Sequence, residues 1–143
     1  MKRMHVGIRV RDLAESRDFY TRLFGCPPTL ERDDYAKWML DDPYINLSII
    51  ARPGPAGLHH IGIQLEGEAA LDEAREQLDA AGLERADQDH LTCGYQVQSK
   101  SWVYDPQGVA IEQFFTYGVA EEFGSMTEDD PARVRLRDRA AGD

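Results

Sequence analysis

A six-residue pattern occurs twice in the chain, and this internal repeat constrains the fold more than any other sequence feature. Residues 5–10 read His-Val-Gly-Ile-Arg-Val, and residues 60–65, 55 positions later, read His-Ile-Gly-Ile-Gln-Leu. Both segments alternate with a period of two, which predicts β-strands. A helical pattern follows each strand; the first begins with Asp12 as its N-cap and ends near Gly25, and the second ends at Gly82. The repeat therefore predicts two copies of one folding unit.

Further strands complete each copy, and they are expected at residues 29–32, 35–40 and 44–50 in the first copy and at 84–88, 95–104 and 109–115 in the second. An Asp-Asp-Pro turn separates the last two strands of the first copy, and an Asp-Pro-Gln-Gly turn separates those of the second. Each copy then has the order β-α-β-β-β, which predicts an α+β fold. The two modules span about 4–51 and 58–117, with residues 52–57 as a Pro- and Gly-rich linker.

The expected apolar faces of the two helices comprise Leu13, Ser16, Phe19, Tyr20 and Leu23 in the first and Leu71, Ala74, Leu78 and Ala81 in the second. These residues recur at the three- and four-residue spacing of a helix that packs on a sheet. We therefore expect each helix to cover the aliphatic face of its own module.

The composition predicts one globular domain at residues 1–119 and a charged tail at residues 120–143. Of the 143 residues, 42% are hydrophobic and 29% charged, and the formal net charge is −10. An acidic chain is a poor partner for nucleic acid or an anionic membrane. No apolar segment has the length of a membrane span or a signal peptide, so the expected location is the cytoplasm. Every second residue from Arg133 to Arg139 is arginine, which does not suit an amphipathic helix; a flexible tail is expected.

The polar residues of the repeated strands share one face. The period of two places His5 and Gly7 together, and it places His60 and Gly62 together in the second strand. Glycine at these positions leaves room for a ligand to approach the sheet. Glu112 has apolar neighbours on both sides, and its burial would be costly without a cation beside it. Two histidines and a carboxylate can hold non-haem Fe(II), although each residue alone is also compatible with a structural role.

These residues resemble the vicinal oxygen chelate superfamily, which includes glyoxalase I, bleomycin-resistance proteins and extradiol dioxygenases. The resemblance covers residues 4 to about 117. It is carried by the strand from His5, the helix ending in Leu23-Phe24-Gly25, the strand from His60, and Asp105-Pro106-Gln107-Gly108 before Ile111-Glu112. The resemblance implies two βαβββ modules that form an incomplete barrel around a metal site.

A narrower resemblance points to the cadmium-induced and arsenic-inducible branch, the non-haem Fe(II) dioxygenases that cleave carbon–arsenic bonds. It is carried by residues 35–38, 46–49, 58–64, 92–95 and 98–103, and by Asp105-Pro106. It implies that His5, His60 and Glu112 are the metal ligands and that His59 is a neighbour. Fe(II) is the expected metal, with Ni(II), Mn(II) or Zn(II) as alternatives. O₂ and a small molecule are the expected substrates, and a homodimer is an expected assembly.

The same resemblance implies the residues that act on or contact the substrate. Cys93 and Lys100 are the expected catalytic residues, with Cys93 holding the substrate and Lys100 or Gln98 orienting its polar groups. The aromatic residues expected to line the cavity, unless they belong to the core, are Trp38, Trp102 and Phe114.

One position departs from the pattern of that branch. Its members have two adjacent cysteines that bind the trivalent arsenical, whereas this chain has Cys93-Gly94. One thiolate binds a thiophilic centre less well than two, so the affinity for arsenicals is expected to fall, and a related substrate is an alternative. We expect Cys26 to be a small buried residue and Cys93 to be exposed and reactive.

Two other functions remain open at this point. A glyoxalase-like isomerase typically requires a fourth protein ligand for its Lewis-acid metal. The first module offers only Asn46 or Ser48 at the position equivalent to Glu112, and neither is a carboxylate. The other alternative is a non-catalytic protein that binds a drug or toxin, which would have no need for two histidines and a glutamate.

Overall fold

The computed structural model describes residues 1–142, which divide by their internal contacts into two compact units. One unit comprises residues 3–61, and the other comprises residue 62 onward together with residues 1–2. The boundary lies inside a strand, downstream of the linker expected at residues 52–57.

The first unit contains β1 (Arg3–Arg9), α1 (Leu13–Phe24), β2 (Leu30–Arg32), β3 (Tyr35–Asp41), β4 (Tyr44–Ile50) and the start of β5 (Gly57–Leu65). The strands lie in the order β2-β3-β4-β1-β5. β1 runs parallel to β4, whereas β2, β3 and β4 are antiparallel neighbours. The βαβββ order predicted for the first module is confirmed.

Helix α1 begins and ends where the sequence predicts. The Asp12 side chain accepts a hydrogen bond from the Glu15 backbone N–H at 3.0 Å, and Gly25 closes the helix with a φ of 71°. Its predicted apolar face is partly wrong, because Phe19 is 53% exposed and Leu23 60% exposed. Leu13 and Tyr20 of the predicted face do pack against the core, and Phe24 joins them there.

The second unit contains the rest of β5, α2 (Glu68–Ala80), β6 (Ala86–Cys93), β7 (Gln96–Tyr104), β8 (Ala110–Val119) and α3 (Pro131–Ala140). The strands lie in the order β5-β8-β7-β6, and the last three are antiparallel neighbours. As predicted, α2 buries Leu71, Ala74 and Leu78. The second βαβββ order is confirmed. Within residues 1–142, no helix is long and apolar enough to cross a membrane.

The C-terminal segment differs from its prediction, because residues 131–140 form α3. The Asp130 side chain caps this helix by accepting hydrogen bonds from the first backbone N–H groups. Leu136 is buried with Trp102, and the Arg133 guanidinium stacks 3.5 Å from the centre of the Trp102 ring. Only Arg133 and Leu136, three residues apart, are buried in this helix. The other arginines extend from the solvent side, which explains why the sequence carries no amphipathic pattern.

Candidate metal centre

The strands β1 and β5 bring two buried histidines together. His5 and His60 are 6% and 8% exposed, and their Nε2 atoms lie 2.8 Å apart. His5 Nδ1 lies 2.9 Å from the backbone carbonyl oxygen of Asn46. Because a carbonyl oxygen only accepts, the proton of a neutral His5 belongs on Nδ1 and its Nε2 presents a lone pair. This is the tautomer that a metal ligand requires, fixed by the type of partner that usually fixes it.

The residue before His60 supports its ring from the other side. His59 Nδ1 lies 2.7 Å from His60 Nδ1, and the two rings are nearly perpendicular. The histidine whose Nε2 faces His5 is therefore His60. His59 contacts the opposite ring nitrogen, where it can orient the His60 imidazole.

Two strand glycines make room for the candidate ligands. A Cβ atom on Gly7 would lie 2.3 Å from Cε1 of His60. A Cβ atom on Gly62 would lie 2.7 Å from the carbonyl oxygen of Glu112 and 2.8 Å from its Cγ. The sequence predicts that these glycines leave space for a bound ligand. The structure fills that space with the His60 ring and the Glu112 side chain, so each glycine admits a protein group.

Glu112 is buried and forms an ion pair with Lys100. The two side chains are 3% and 2% exposed, and Lys100 Nζ donates a hydrogen bond to Glu112 Oε2 at 2.9 Å. Burial alone would lower the pKa of Lys100, but the negative charges of Glu112 and Cys93 outweigh it and raise the pKa. The ammonium supplies the cation that the sequence predicts beside Glu112. A carboxylate has two oxygens, so pairing with Lys100 is compatible with metal ligation.

Cys93 ends β6 on the same face as Lys100 and Glu112. It pairs with Gln96 across a two-residue turn in which Gly94 and Tyr95 have φ values of 59° and 62°. The expectation of an exposed thiol is partly wrong, because Gly124 pairs with Cys93 and the side chain is only partly accessible. Burial raises the pKa of the Cys93 thiol, and the positive charge of Lys100 opposes that effect.

Gln98 and Phe114 lie on the face of β7 and β8 that carries Glu112, as the strand register requires. The Gln98 amide donates hydrogen bonds to the side chains of Gln96, at 2.9 Å, and Thr116, at 3.1 Å. Phe114 is buried, and its ring centre lies 5.9 Å from Lys100 Nζ. Both residues therefore accompany Lys100 on the face where a substrate is expected.

Trp38 belongs to the core of the first unit, so the prediction that it lines the substrate cavity is wrong. The register places Trp38 beside Leu47, on the side of the sheet opposite to His5. There it packs with α1, and its indole N–H donates a hydrogen bond to the backbone carbonyl of Cys26 at 3.1 Å. Cys26 packs against the same core but is only partly buried, so its predicted burial holds in part.

Trp102 lies on the Glu112 face but behaves as a core residue. It is 2% exposed, Arg133 covers its ring, and its indole N–H donates to the side chain of Gln88 at 3.0 Å. The expectation that Trp102 lines a cavity is therefore corrected. The cause is α3, which the sequence pattern does not reveal.

Sequence reasoning also misses Lys37, which is 6% exposed and lies on the same face of the first unit as Gly7 and Ser48. Burial lowers its pKa to about 8. The available signal is its context: a lysine in the middle of a strand whose neighbours are Tyr-Ala and Trp-Met.

Comparison with known proteins places this geometry in a family. Residues 2–113 match the model of the Glyoxalase/Bleomycin resistance protein/Dioxygenase superfamily. The chain is 37% identical over 125 residues to a trivalent organoarsenical cleaving enzyme of Bacillus sp. (strain MD1), covering 85% of this chain and 78% of the relative. It is 31% identical over 126 residues to the cadmium-induced protein CadI of Mycobacterium bovis, covering 87% and 83%.

A solved structure agrees with the fold. The Mn(II)-bound glyoxalase from Novosphingobium aromaticivorans superposes with a TM-score of 0.58 at 17% identity, covering 99% of this chain and 54% of that one. The predicted α+β fold of the vicinal oxygen chelate superfamily is confirmed, as is the likeness to the arsenic- and cadmium-related branch. The chain belongs to the glyoxalase/bleomycin resistance protein/dioxygenase superfamily.

Proposed function

We propose that the chain is a metal-dependent, O₂-using enzyme that cleaves the carbon–arsenic bond of trivalent organoarsenicals, with His5, His60 and Glu112 holding the metal. The observation that carries this proposal is the pair of buried histidines, whose Nε2 atoms lie 2.8 Å apart. Glu112, packed against Gly62 within its own unit, is the carboxylate that we propose as the third ligand. The substrate class comes from the names of the relatives.

The donor set fits Fe(II). Two imidazole nitrogens and one carboxylate are the ligands of non-haem Fe(II) oxygenases, in which positions stay open for oxygen and substrate. When bound, the iron would supply the activation of O₂. The protein supplies the fixed tautomer of His5, the contact of His59 with His60, and the ion pair between Lys100 and Glu112.

The overall reaction balances with O₂ as the oxidant. For the methyl compound, methylarsonous acid and O₂ give formaldehyde and arsenous acid. The carbon–arsenic bond breaks, the carbon is oxidised, and the two oxygen atoms of O₂ are distributed over the two products. No further reductant is required.

Cys93 is the residue proposed to anchor the arsenical. Its thiol can displace a hydroxyl from trivalent arsenic, so that a sulfur–arsenic bond forms and water leaves. Lys100, on the same face, favours the thiolate of Cys93 and holds Glu112. Gly94 occupies a left-handed turn position that favours glycine, so a second cysteine there would be strained. A single thiolate should bind arsenicals more weakly than a chelating pair. The proposal therefore includes a substrate closely related to these arsenicals.

The experiment is oxygen-dependent turnover by protein loaded anaerobically with Fe(II). Trivalent methyl- and phenylarsenicals are supplied, and arsenite release and O₂ consumption are measured together. We expect both to appear in the wild type and to be lost in Cys93→Ala, whereas the matched control Cys26→Ala keeps them. Turnover equal to that of free Fe(II) contradicts organoarsenical cleavage.

A further inference from the structure

Lys37 is a buried lysine that the proposed function does not use. The chain has three lysines, and two of them, Lys37 and Lys100, are almost fully buried. Lys100 pairs with Glu112, but within residues 1–142 no hydrogen bond or ion pair reaches the Lys37 ammonium. An unpaired buried charge is costly, so its retention in the middle of a strand calls for a partner that arrives with a ligand.

The register places Lys37 on the candidate-ligand side of its sheet. Lys37 on β3 lies opposite Ser48 on β4, and Ser48 lies opposite Gly7 on β1, so these residues share one face. The His60 ring occupies the space above Gly7. His5, two residues before Gly7, is on the same face. The opposite face carries the core under α1.

The two units place different residues at matching positions. In the second unit, Gly62 lies against Glu112, which pairs with Trp102. In the first unit, Gly7 pairs with Ser48, which pairs with Lys37. Ser48 is thus the counterpart of Glu112, and an ammonium stands next to it. An ammonium has no lone pair to ligate a metal, and it repels cations. The position of Ser48, next to Lys37, is therefore unsuited to a fourth protein ligand. That disfavours the isomerase alternative.

The other charged and titratable side chains on this face of β1 to β4 give Lys37 no carboxylate partner. Together with the His60 ring from β5, they are Arg3, His5, Arg9, Arg32, Tyr35, Asp41 and Tyr44. Asp41 lies at the exposed end of β3, where the Arg3 guanidinium binds it at 2.9 Å. The face around Lys37 therefore carries an excess of positive charge.

We propose that Lys37 binds an oxyanion of the substrate on this face. A charge-assisted hydrogen bond from the ammonium would compensate the cost of its burial. The oxyanion has two sources, an ionised oxygen on the arsenic or an acid group on the organic substituent. The inference rests on the proposed function only for the identity of the substrate. The binding chemistry itself is independent of turnover.

The test uses the full chain loaded with diamagnetic Zn(II) and labelled at its lysine side chains, which gives three NMR signals. Lys37→Arg assigns the signal of Lys37. Phenylarsonate probes an oxygen on arsenic, and benzoate probes an acid on the organic part. We expect one of these anions to shift the Lys37 signal and raise its pKa above about 8, while the signal of the exposed Lys2 stays unchanged.

Affinity measurements on variants provide the second readout. Lys37→Met should weaken binding of the responding anion about 10- to 100-fold, Lys37→Arg should retain most of it, and Lys2→Met should match the wild type. The role of Lys37 is overturned if its signal ignores both anions, or if Lys37→Met binds them like the wild type. These results do not depend on turnover, so an inactive enzyme that still binds anions through Lys37 contradicts only the organoarsenical function.

Discussion

The two βαβββ modules carry different charges at matching positions of the same fold. In the second module, Glu112 beside Gly62 pairs with Lys100, which leaves a neutral buried pair. In the first module, Ser48 beside Gly7 lies next to Lys37, which leaves a buried positive charge. The repeated backbone thus supplies two similar positions, and one residue in each decides its role. The acid can ligate a metal, and the amine can receive an anion.

The largest expected effect comes from breaking the compensated pair of the second module. Lys100→Met leaves the Glu112 carboxylate buried without its cation, which should lower the free energy of unfolding by about 3–5 kcal/mol. The double variant Lys100→Met/Glu112→Gln removes both charges and should recover much of that loss. Urea unfolding of the metal-free proteins measures this. Equal losses in the single and double variants would show that the pair carries no special cost.

The next effect has the opposite sign and concerns the first module. Lys37→Met removes an unpaired buried ammonium, so we expect it to raise the free energy of unfolding at pH 7 by about 3 kcal/mol. Below about pH 8, folded and unfolded chains both carry the proton, and the folded state bears the full cost. Between about pH 8 and the usual value of 10.5, only the unfolded chain stays protonated, so the gain shrinks as the pH rises.

Unfolding curves at several pH values measure this change, with Lys2→Met as the exposed control. A gain that does not vary between pH 7 and pH 10 would mean that packing, rather than charge, separates Lys37→Met from the wild type.

A third variant tests the room that glycine provides for a ligand. Gly7→Ala places a Cβ atom 2.3 Å from the His60 ring, so the ring must move. We expect metal affinity to fall about 10- to 100-fold, as for disturbed support of a ligand. Gly118→Ala is the control, because a Cβ atom there meets nothing within 4 Å. Metal titration followed by calorimetry distinguishes them, and equal affinities would remove the steric role assigned to Gly7.

The smallest effect concerns the thiol of the second module. Because burial raises the pKa of Cys93, its thiolate fraction at pH 7 should be low and its alkylation by iodoacetamide slower than that of free cysteine. Lys100→Gln should slow it by a further few-fold, since a positive charge that favours the thiolate is lost. Mass spectrometry of the peptide containing Cys93 follows the rate. Alkylation as fast as that of free cysteine would contradict a buried thiol.

Local signals were sufficient to predict the elements, because strands, caps and turns depend on neighbouring residues. The N-cap Asp12 and the C-terminal Gly25 are examples. Which side of the sheet a strand side chain lies on was harder to predict. Irregularities at Gln88/Leu91 and Val97/Gln98 change the side-chain alternation in β6 and β8. Trp102 lies on the face of its sheet that carries Glu112, whereas Trp38 lies on the core face of its own sheet. This difference depends on the strand register, which composition does not encode.

Residues whose role comes from distant packing were not predictable. Arg133 is buried only because α3 lies on Trp102, and the alternating arginines gave no helical pattern. Lys37 is desolvated by strands that are close in space and distant in sequence. The histidine pair was predictable because the repeat placed His5 and His60 at equivalent positions. The space beside Gly7 and Gly62 was predicted to be free for a bound ligand, but the His60 ring and the Glu112 side chain occupy it.

Metal binding tests the central claim most directly. Fe(II) is added anaerobically to the wild type, to His60→Ala and to the control His90→Asn. His90 is exposed, and asparagine tolerates the positive φ of this position. Binding is followed by calorimetry and by counting bound iron. We predict one tightly bound equivalent of Fe(II) in the wild type and in His90→Asn, and its loss in His60→Ala. Binding of equal strength in all three proteins would contradict a metal centre built on His5, His60 and Glu112.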